Sequence, residues 1–138
     1  MFQHKFVEFI PDSIEDGIIY ISIQYCTAIH KCVCGCGNEV VTPFSPNDWK
    51  LTFNGKAITL HPSIGNWNFD CRSHYWIKNN KIEYAAGWKE REIGMGRNND
   101  LQSKKELLEV PTQIQEEAYK LERQKISVWH KIFNFFRL

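Results

Sequence analysis

The chain has almost no net charge, because its 17 lysine and arginine residues are nearly balanced by 16 aspartate and glutamate residues. Proteins that bind nucleic acid through its phosphates need a basic face, so this balance disfavours a DNA or RNA partner. No apolar run approaches the ~20 residues that a membrane-spanning helix requires. The first ten residues include Lys5 and Glu8 and lack the apolar core of a signal peptide. We therefore expect a cytoplasmic protein with no transmembrane segment, whose thiols stay reduced.

Cysteine is the residue type that the sequence places most unusually. Cys32, Cys34 and Cys36 alternate along a glycine-containing turn, and Cys71 lies three residues before His74. The total of five cysteines is odd, and neighbours two residues apart have poor geometry for a disulfide. Thiolates at this density instead suit a soft cation, and Zn²⁺ takes about four S or N ligands in a tetrahedron. The pattern therefore predicts a zinc site.

More candidate ligands lie near these loops than one zinc ion needs. A site made only of thiolates leaves both neighbouring histidines, His30 and His74, free for other roles. The alternative uses three thiolates with His74 and releases Cys32 first. A Rieske iron–sulfur cluster is a further alternative, but it needs a histidine in each loop, and the first loop offers cysteines there. We prefer the four-cysteine zinc site, whose predicted ligands are Cys32, Cys34, Cys36 and Cys71.

The remaining pattern predicts an α+β fold in which a small antiparallel β domain holds the metal on knuckle loops, Rieske-like or rubredoxin-like. Residues 18–24 are rich in isoleucine, as a strand is, and residues 40–42 form a second short strand. Residues 51–60 are predicted to form a hairpin, since Asn54 and Gly55 can both take positive φ values, and residues 75–85 form another. The fifth cysteine, Cys26, lies in an alternating segment, so we predict that it is buried in a strand and binds no metal.

Beyond the β domain, residues 94–100 are polar and glycine-containing, which predicts a flexible linker. Capping patterns predict helices that start at Ser103 and Thr112, and an amphipathic helix is predicted from Ser127. We therefore divide the chain into a zinc-binding β domain, residues 1–94, and a linker with a C-terminal helical extension, residues 95–138.

Four phrases around the cysteine loops are more specific than composition. They are HKCVCGCG at residues 30–37, VVTPFSP at 40–46, PSIGNW at 62–67 and CRSHYWI at 71–77. Together they resemble a bacterial family described as a domain of unknown function, and the resemblance covers about residues 30 to 85. Members of that family tend to be encoded beside ubiquitin-like proteins and their activating and conjugating enzymes. The resemblance therefore implies that the partners are a ubiquitin-like protein or its conjugates, together with those enzymes.

Such a system needs an enzyme that matures or removes the modifier, so the resemblance implies a deubiquitinase-like serine peptidase. The candidate nucleophiles are Ser63, which precedes a glycine turn, and Ser73, which adjoins a histidine. The candidate bases are His30 and His74, because a histidine pKa near ~6.5 suits proton transfer at neutral pH. Zinc would then be structural and would fix the loops that carry these groups.

The alternative is a zinc-binding adaptor without catalysis. In that interpretation zinc replaces the apolar core that a small sheet cannot supply. Exposed aromatic side chains would then contact the ubiquitin-like protein or its ligation enzyme. The aromatic residues that we expect to be exposed are Trp49, Trp67, Tyr75 and Trp76.

Overall fold

The computed structural model describes residues 2–109, and the chain divides into two compact units, Met1–Gly94 and Met95–Leu138. The described part of the first unit contains eight strands in two four-stranded sheets, with the strand orders β1-β2-β3-β4 and β5-β6-β7-β8. The strands are β1 Gln3–Phe6, β2 Ile18–Ser22, β3 Thr27–Lys31, β4 Glu39–Pro43, β5 Lys50–Phe53, β6 Ile58–Gly65, β7 His74–Lys78 and β8 Lys81–Tyr84. All neighbouring pairs are antiparallel except β1 and β2.

The first sheet is organised around β2, which is buried at every position. Successive side chains of a strand point to opposite faces of its sheet. Ile19 and Ile21 accordingly join the main core, while Ile18 and Tyr20 pack in a smaller cluster with Ile14. The isoleucine-rich sequence therefore forms a strand because both of its faces are covered by apolar groups.

The main core lies between the two sheets. Its fully buried members alternate along β6 and β7 of the second sheet, where Leu60, Ile64 and Ile77 are examples. They belong to the same apolar cluster as Ile19 and Ile21 of the first sheet. This packing holds β6 and β7 in fixed register, and these are the strands that carry the candidate serine and histidine.

The hairpin turns show how far local sequence specifies this fold. Asn79 and Asn80 have φ values of 48° and 60°, which confirms the tight turn predicted between β7 and β8. At the other predicted turn only Gly55 has a positive φ, 88°. The Asn54 side chain instead accepts hydrogen bonds from the backbone N–H groups of Lys56 and Ala57, at 3.0 and 2.8 Å. The predicted hairpin is confirmed there, but its connection is longer than two residues.

The predicted burial of Cys26 is wrong, because this residue is exposed. The alternating segment around it is not one strand: β2 ends at Ser22, and the chain turns before β3 begins at Thr27. Cys26 closes that turn with a φ of 47°, and its backbone N–H donates to the carbonyl of Ile23 at 3.2 Å. An alternating pattern across a tight turn imitates a continuous strand.

Residues 90–109 are helical. The prediction of a flexible linker over residues 94–100, with a helix start at Ser103, is therefore wrong. The helix begins earlier because the Glu92 carboxylate accepts a hydrogen bond from the backbone N–H of Lys89 at 2.7 Å, which is half of a capping box. The helices predicted from Thr112 and Ser127 lie outside the described residues.

Within residues 2–109, no helix is long and apolar enough to cross a membrane. The predicted class is confirmed, with antiparallel sheets followed by a C-terminal helix.

Candidate functional site

The first cysteine loop connects β3 to β4 and is closed by its own backbone. Cys32 donates its N–H to the carbonyl of Asn38 at 2.7 Å and accepts from the N–H of Gly35 at 3.1 Å. Gly35 and Gly37 have φ values of 84° and 79°, a conformation that costs glycine little and other residues more. The alternation of cysteine and glycine therefore turns the three thiols toward one point.

Cys71 completes this group from the loop between β6 and β7. The four sulfur atoms all lie within 4.8 Å of one another. The Sγ–Sγ distances are 3.4 Å for Cys32 and Cys34, 3.8 Å for Cys32 and Cys71, and 3.7 Å for Cys36 and Cys71. A tetrahedron with Zn–S bonds of about 2.3 Å has edges of about 3.8 Å. The four cysteines could therefore hold one metal ion.

A buried polar layer supports these sulfurs. The Ser73 hydroxyl lies 3.1 Å from Cys32 Sγ and 3.6 Å from Cys71 Sγ. Asn66 Nδ2 donates to Ser73 Oγ at 2.9 Å and lies 3.6 Å from Cys32 Sγ. Hydrogen-bonding partners of this kind orient metal ligands and tune their basicity.

These contacts shift the pKa values of two of the thiols in opposite directions. Desolvation alone would raise the pKa of Cys71, but hydrogen bonds from the backbone and hydroxyl of Ser73 outweigh it and lower that pKa to about 7. A backbone hydrogen bond from Cys36 lowers the pKa of Cys34, yet desolvation and contacts with the other three sulfurs raise it to about 12. Because four thiolates repel one another, a cation is needed for all of them to ionise near neutral pH.

His30 is enclosed in the core next to this layer. Its Nε2 and the Tyr75 hydroxyl share a hydrogen bond of 2.8 Å, and Asn66 Nδ2 lies 3.4 Å from the same hydroxyl. Burial lowers the pKa of His30 to about 4 and raises the pKa of Tyr75. Both groups are therefore neutral at physiological pH. His30 Nδ1 is buried, and no hydrogen-bond partner for it lies within residues 2–109.

Ser63 lies where β6 departs from regular pairing, in a register shift between Leu60 and Ile64. Pro62 precedes it and has no N–H to donate to a ladder, which favours such an irregularity. Bulges near active sites commonly redirect a side chain. Here the Ser63 hydroxyl reaches across to β7, where His74 Nε2 lies 2.9 Å from Ser63 Oγ.

The second nitrogen of His74 determines how this pair works. Nδ1 lies 2.7 Å from the carbonyl oxygen of Ala86. A carbonyl oxygen only accepts hydrogen bonds, so Nδ1 carries the proton and Nε2 of the neutral ring has a free lone pair. Nε2 therefore accepts from the Ser63 hydroxyl, which is the arrangement of a nucleophile with its general base.

Two indole rings enclose the imidazole of His74. The ring centroids of Trp67 and Trp88 lie 5.0 and 5.4 Å from that of His74, and the two indoles stack on each other at 5.5 Å. A Cβ atom at Gly65 would lie 2.5 Å from the Trp67 ring, so only glycine permits this close approach. His74 is consequently only 8% exposed, and its orientation is fixed by packing as well as by hydrogen bonds.

Of the four candidate catalytic residues, the structure brings together Ser63 and His74. Ser73 instead lies beside the sulfurs, and His30 hydrogen-bonds to Tyr75. Both ring nitrogens of His74 are engaged elsewhere, which favours the ligand set of four cysteines. Tyr75 is fully buried, so the expectation that it belongs to an exposed aromatic surface is wrong.

Sequence reasoning missed three contributors to the site. The Ala86 carbonyl is a backbone group, for which the sequence carries no signal. Trp88 lies beyond the recognised phrases and contacts His74 only through the fold. Asn66 stands inside PSIGNW, where a buried amide next to a glycine turn could have been suspected of satisfying a polar neighbour.

Comparison with known families adds one finding. A family model described as bacterial ubiquitination-like system serine protease (BubE) matches residues 6–85, more than half of the chain. The matched range contains Ser63, His74 and the four cysteines, and it ends one residue before Ala86. No curated protein and no solved structure matches the chain.

Proposed function

Because the chain belongs to the family of bacterial ubiquitination-like system serine proteases (BubE), we propose that it is a peptidase in which Ser63 is the nucleophile and His74 the general base. The observation that carries this proposal is the 2.9 Å hydrogen bond between Ser63 Oγ and His74 Nε2. The substrate would be a ubiquitin-like protein, either as a precursor or joined to a target. The activating and conjugating enzymes of the same system would act upstream of it.

The first half of the reaction follows from the tautomer of His74. Ser63 Oγ attacks the scissile carbonyl carbon while Nε2 takes the hydroxyl proton. The Ala86 carbonyl, already bonded to Nδ1–H, stabilises the imidazolium that forms and keeps the ring in place. The tetrahedral intermediate then expels the amine, which takes the proton from Nε2, and the modifier is left esterified to Ser63.

The second half repeats this proton path with water. Nε2 removes a proton from the attacking water, whose oxygen bonds to the ester carbon. Collapse of the intermediate breaks the bond to Ser63 Oγ, and the serine recovers its proton from Nε2. The modifier leaves with a free carboxylate. The indoles of Trp67 and Trp88 limit water around the imidazole without covering the serine, which is half-exposed.

We assign zinc to the four cysteines, with a structural role. Four thiolate ligands would leave a zinc ion no open position for substrate or water, so the ion would stabilise the two loops and would not act as a Lewis acid. Cys71 lies three residues before His74, and Cys32 lies beside Ser73. The ligands thus anchor the chain directly before the general base. Reduced thiolates suit a reducing compartment such as the cytoplasm.

A fluorophosphonate probe tests this function without knowledge of the substrate. The zinc-loaded full chain should be labelled, and peptide mapping should find the adduct at Ser63. Labelling should disappear in His74→Gln, which keeps a polar side chain but cannot act as the base. Ser45→Ala is the matched control, since Ser45 donates to Asp48 instead of touching His74. Absence of labelling in folded, zinc-loaded protein would favour the zinc-binding adaptor.

A further inference from the structure

A small pocket shares the side chain of Trp67 with the surroundings of His74 and has no part in the proton transfer between Ser63 and His74. Its walls include Ile64, Gly65 and Asn66, which directly follow Ser63 on the same stretch of chain. Another wall is Trp67, whose ring also lies 5.0 Å from the imidazole of His74. Neither Ser63 nor His74 lines the pocket, so Trp67 is the side chain that links the pocket to the proposed active site.

The remaining walls of the pocket combine apolar side chains with one carboxylate group. Aromatic and aliphatic side chains provide most of the surface, and Glu39 is the one charged residue that lines it. The volume is about 210 Å³, below the ~300 Å³ at which sites for free small molecules begin. It is the size of a recess for a single side chain. The apolar contributors outside β6 are Val40, Val41, Trp49, Trp67 and Phe69.

The charge of Glu39 is available to an occupant of the pocket. Its cross-strand neighbour is Lys31, whose ammonium lies 3.8 Å from the carboxylate of Asp16. Within residues 2–109, Glu39 forms no ion pair of its own. Glu39 is exposed, so its side chain is accessible from solvent.

We propose that this pocket takes a lysine or arginine side chain from the carboxyl-terminal tail of the ubiquitin-like protein, close to the bond that is cleaved. The inference rests on the proposed function of Ser63 and His74. The tail is the segment that a precursor and every conjugate share, so it occupies the acyl side of the site in each reaction.

A basic side chain fits both features of the pocket. Its methylene stem buries apolar surface against the aromatic walls, and its cation is attracted to the faces of the indole rings. The head group then meets the Glu39 carboxylate. An acidic side chain would be repelled there, and an apolar one would leave the carboxylate without a partner.

The test uses peptidyl diphenyl phosphonates, which react with an activated serine and present a peptide on its acyl side. The probes carry arginine, lysine, norleucine or glutamate at one of the last four positions before the phosphonate. At one position we expect the basic probes to label Ser63 at least about 10-fold faster than norleucine, and glutamate to be slowest. Glu39→Gln should remove the advantage of the basic probes, and Glu39→Lys should make the glutamate probe the faster one.

Two controls separate this inference from the proposed function. A small uncharged fluorophosphonate, which has no side chain to place in the pocket, is used to label wild type and every variant, and its rate is the reference for the peptidyl probes. Glu83→Gln, which changes an exposed carboxylate on β8, should keep the preference for basic probes. If the small probe labels Ser63 but no position prefers a basic residue, or Glu39→Gln retains that preference, the pocket assignment is wrong and the peptidase stands. If the small probe does not label Ser63, the peptidase itself is wrong.

Discussion

Two polar clusters meet at the neighbouring residues Ser73 and His74 and differ in the groups that contact each side chain. Ser73 belongs to a buried layer in which one amide and two sulfurs surround its hydroxyl. The side chain of His74 instead contacts Ser63 and the rings of Trp67 and Trp88. Because side chains alternate in extended chain, consecutive residues can serve two sites. The fold thus places the metal cluster and the proposed catalytic pair back to back.

The comparison also explains why two serines with similar sequence surroundings differ in chemistry. Ser73 has a histidine next to it in sequence, but within residues 2–109 its hydroxyl contacts Asn66 and two sulfurs and no histidine. Ser63 has a base whose second nitrogen is held by a carbonyl. Adjacency in sequence therefore points to Ser73, whereas adjacency across two strands places His74 Nε2 against Ser63 Oγ.

The largest difference is expected when the hydroxyl groups of Ser63 and Ser73 are removed separately. We expect Ser63→Ala to lower kcat for cleavage of a ubiquitin-like precursor by more than about 10³-fold, because the nucleophile is lost. The variant should still fold and bind zinc, with a loss in the free energy of unfolding of about 1–3 kcal/mol, because His74 Nε2 loses its hydrogen-bond donor. Ser73→Ala should retain most of the activity but bind zinc about 10–100-fold more weakly, as for other partners of metal ligands. Cleavage kinetics and competition with a chromophoric chelator measure the two effects. Equal loss of activity in both variants would contradict the division of roles.

The next largest effect concerns the metal cluster itself. Cys71→Ser should remove one thiolate and destabilise the first unit by several kcal/mol, because binding energy at a structural zinc site is also folding energy. Activity should fall with the metal content, since the loop before His74 loses its anchor. Cys26→Ser is the matched control, because Cys26 is an exposed cysteine outside the cluster. Metal analysis and thermal unfolding test this. Full activity in metal-free protein would contradict this prediction, because it would show that the Ser63–His74 pair does not depend on the metal.

A smaller effect is expected when one of the two indole rings that enclose His74 is removed. Trp88→Ala should lower kcat about 10–100-fold, because the imidazole of His74 loses one of the rings that fix its orientation. Trp88→Phe should restore most of the rate. The matched control is Trp76→Ala, since Trp76 stacks on His61 at 6.0 Å and is not among the rings that contact His74. The rate of fluorophosphonate labelling should fall in parallel with kcat. A rise in KM at unchanged kcat would instead make Trp88 a substrate contact.

The cysteine cluster could be predicted from sequence because three of its four thiols lie on one glycine-containing turn. Cys71 joins them from the loop between β6 and β7, so its position depends on the fold. The hairpin at Asn79 and Asn80 is local in the same sense as that turn. These features depend on a few φ values that particular residues favour.

The proposed catalytic pair could be predicted only as a set of alternatives. Whether His74 or His30 reaches a serine depends on the register between β6 and β7 and on the irregularity at Ser63. Those are set by packing between distant residues. The burial of His30 depends likewise on the sheets that cover it. The Ala86 carbonyl and the ring of Trp88 enter the site only through the path of the chain after β8.

The smallest effect is expected at the junction of the buried layer with the core. Tyr75→Phe removes the hydroxyl that forms a hydrogen bond with His30 Nε2. Within residues 2–109, His30 Nδ1 already has no hydrogen-bond partner. Leaving such a buried group unsatisfied should lower the free energy of unfolding by about 1–3 kcal/mol. Urea unfolding of zinc-loaded protein measures this, and His30→Leu combined with Tyr75→Phe should cost less than the sum of the single changes. Cleavage should stay within a few-fold of wild type, because neither group touches Ser63 or His74. A loss of activity as large as that of Ser63→Ala would instead place His30 in the catalytic machinery.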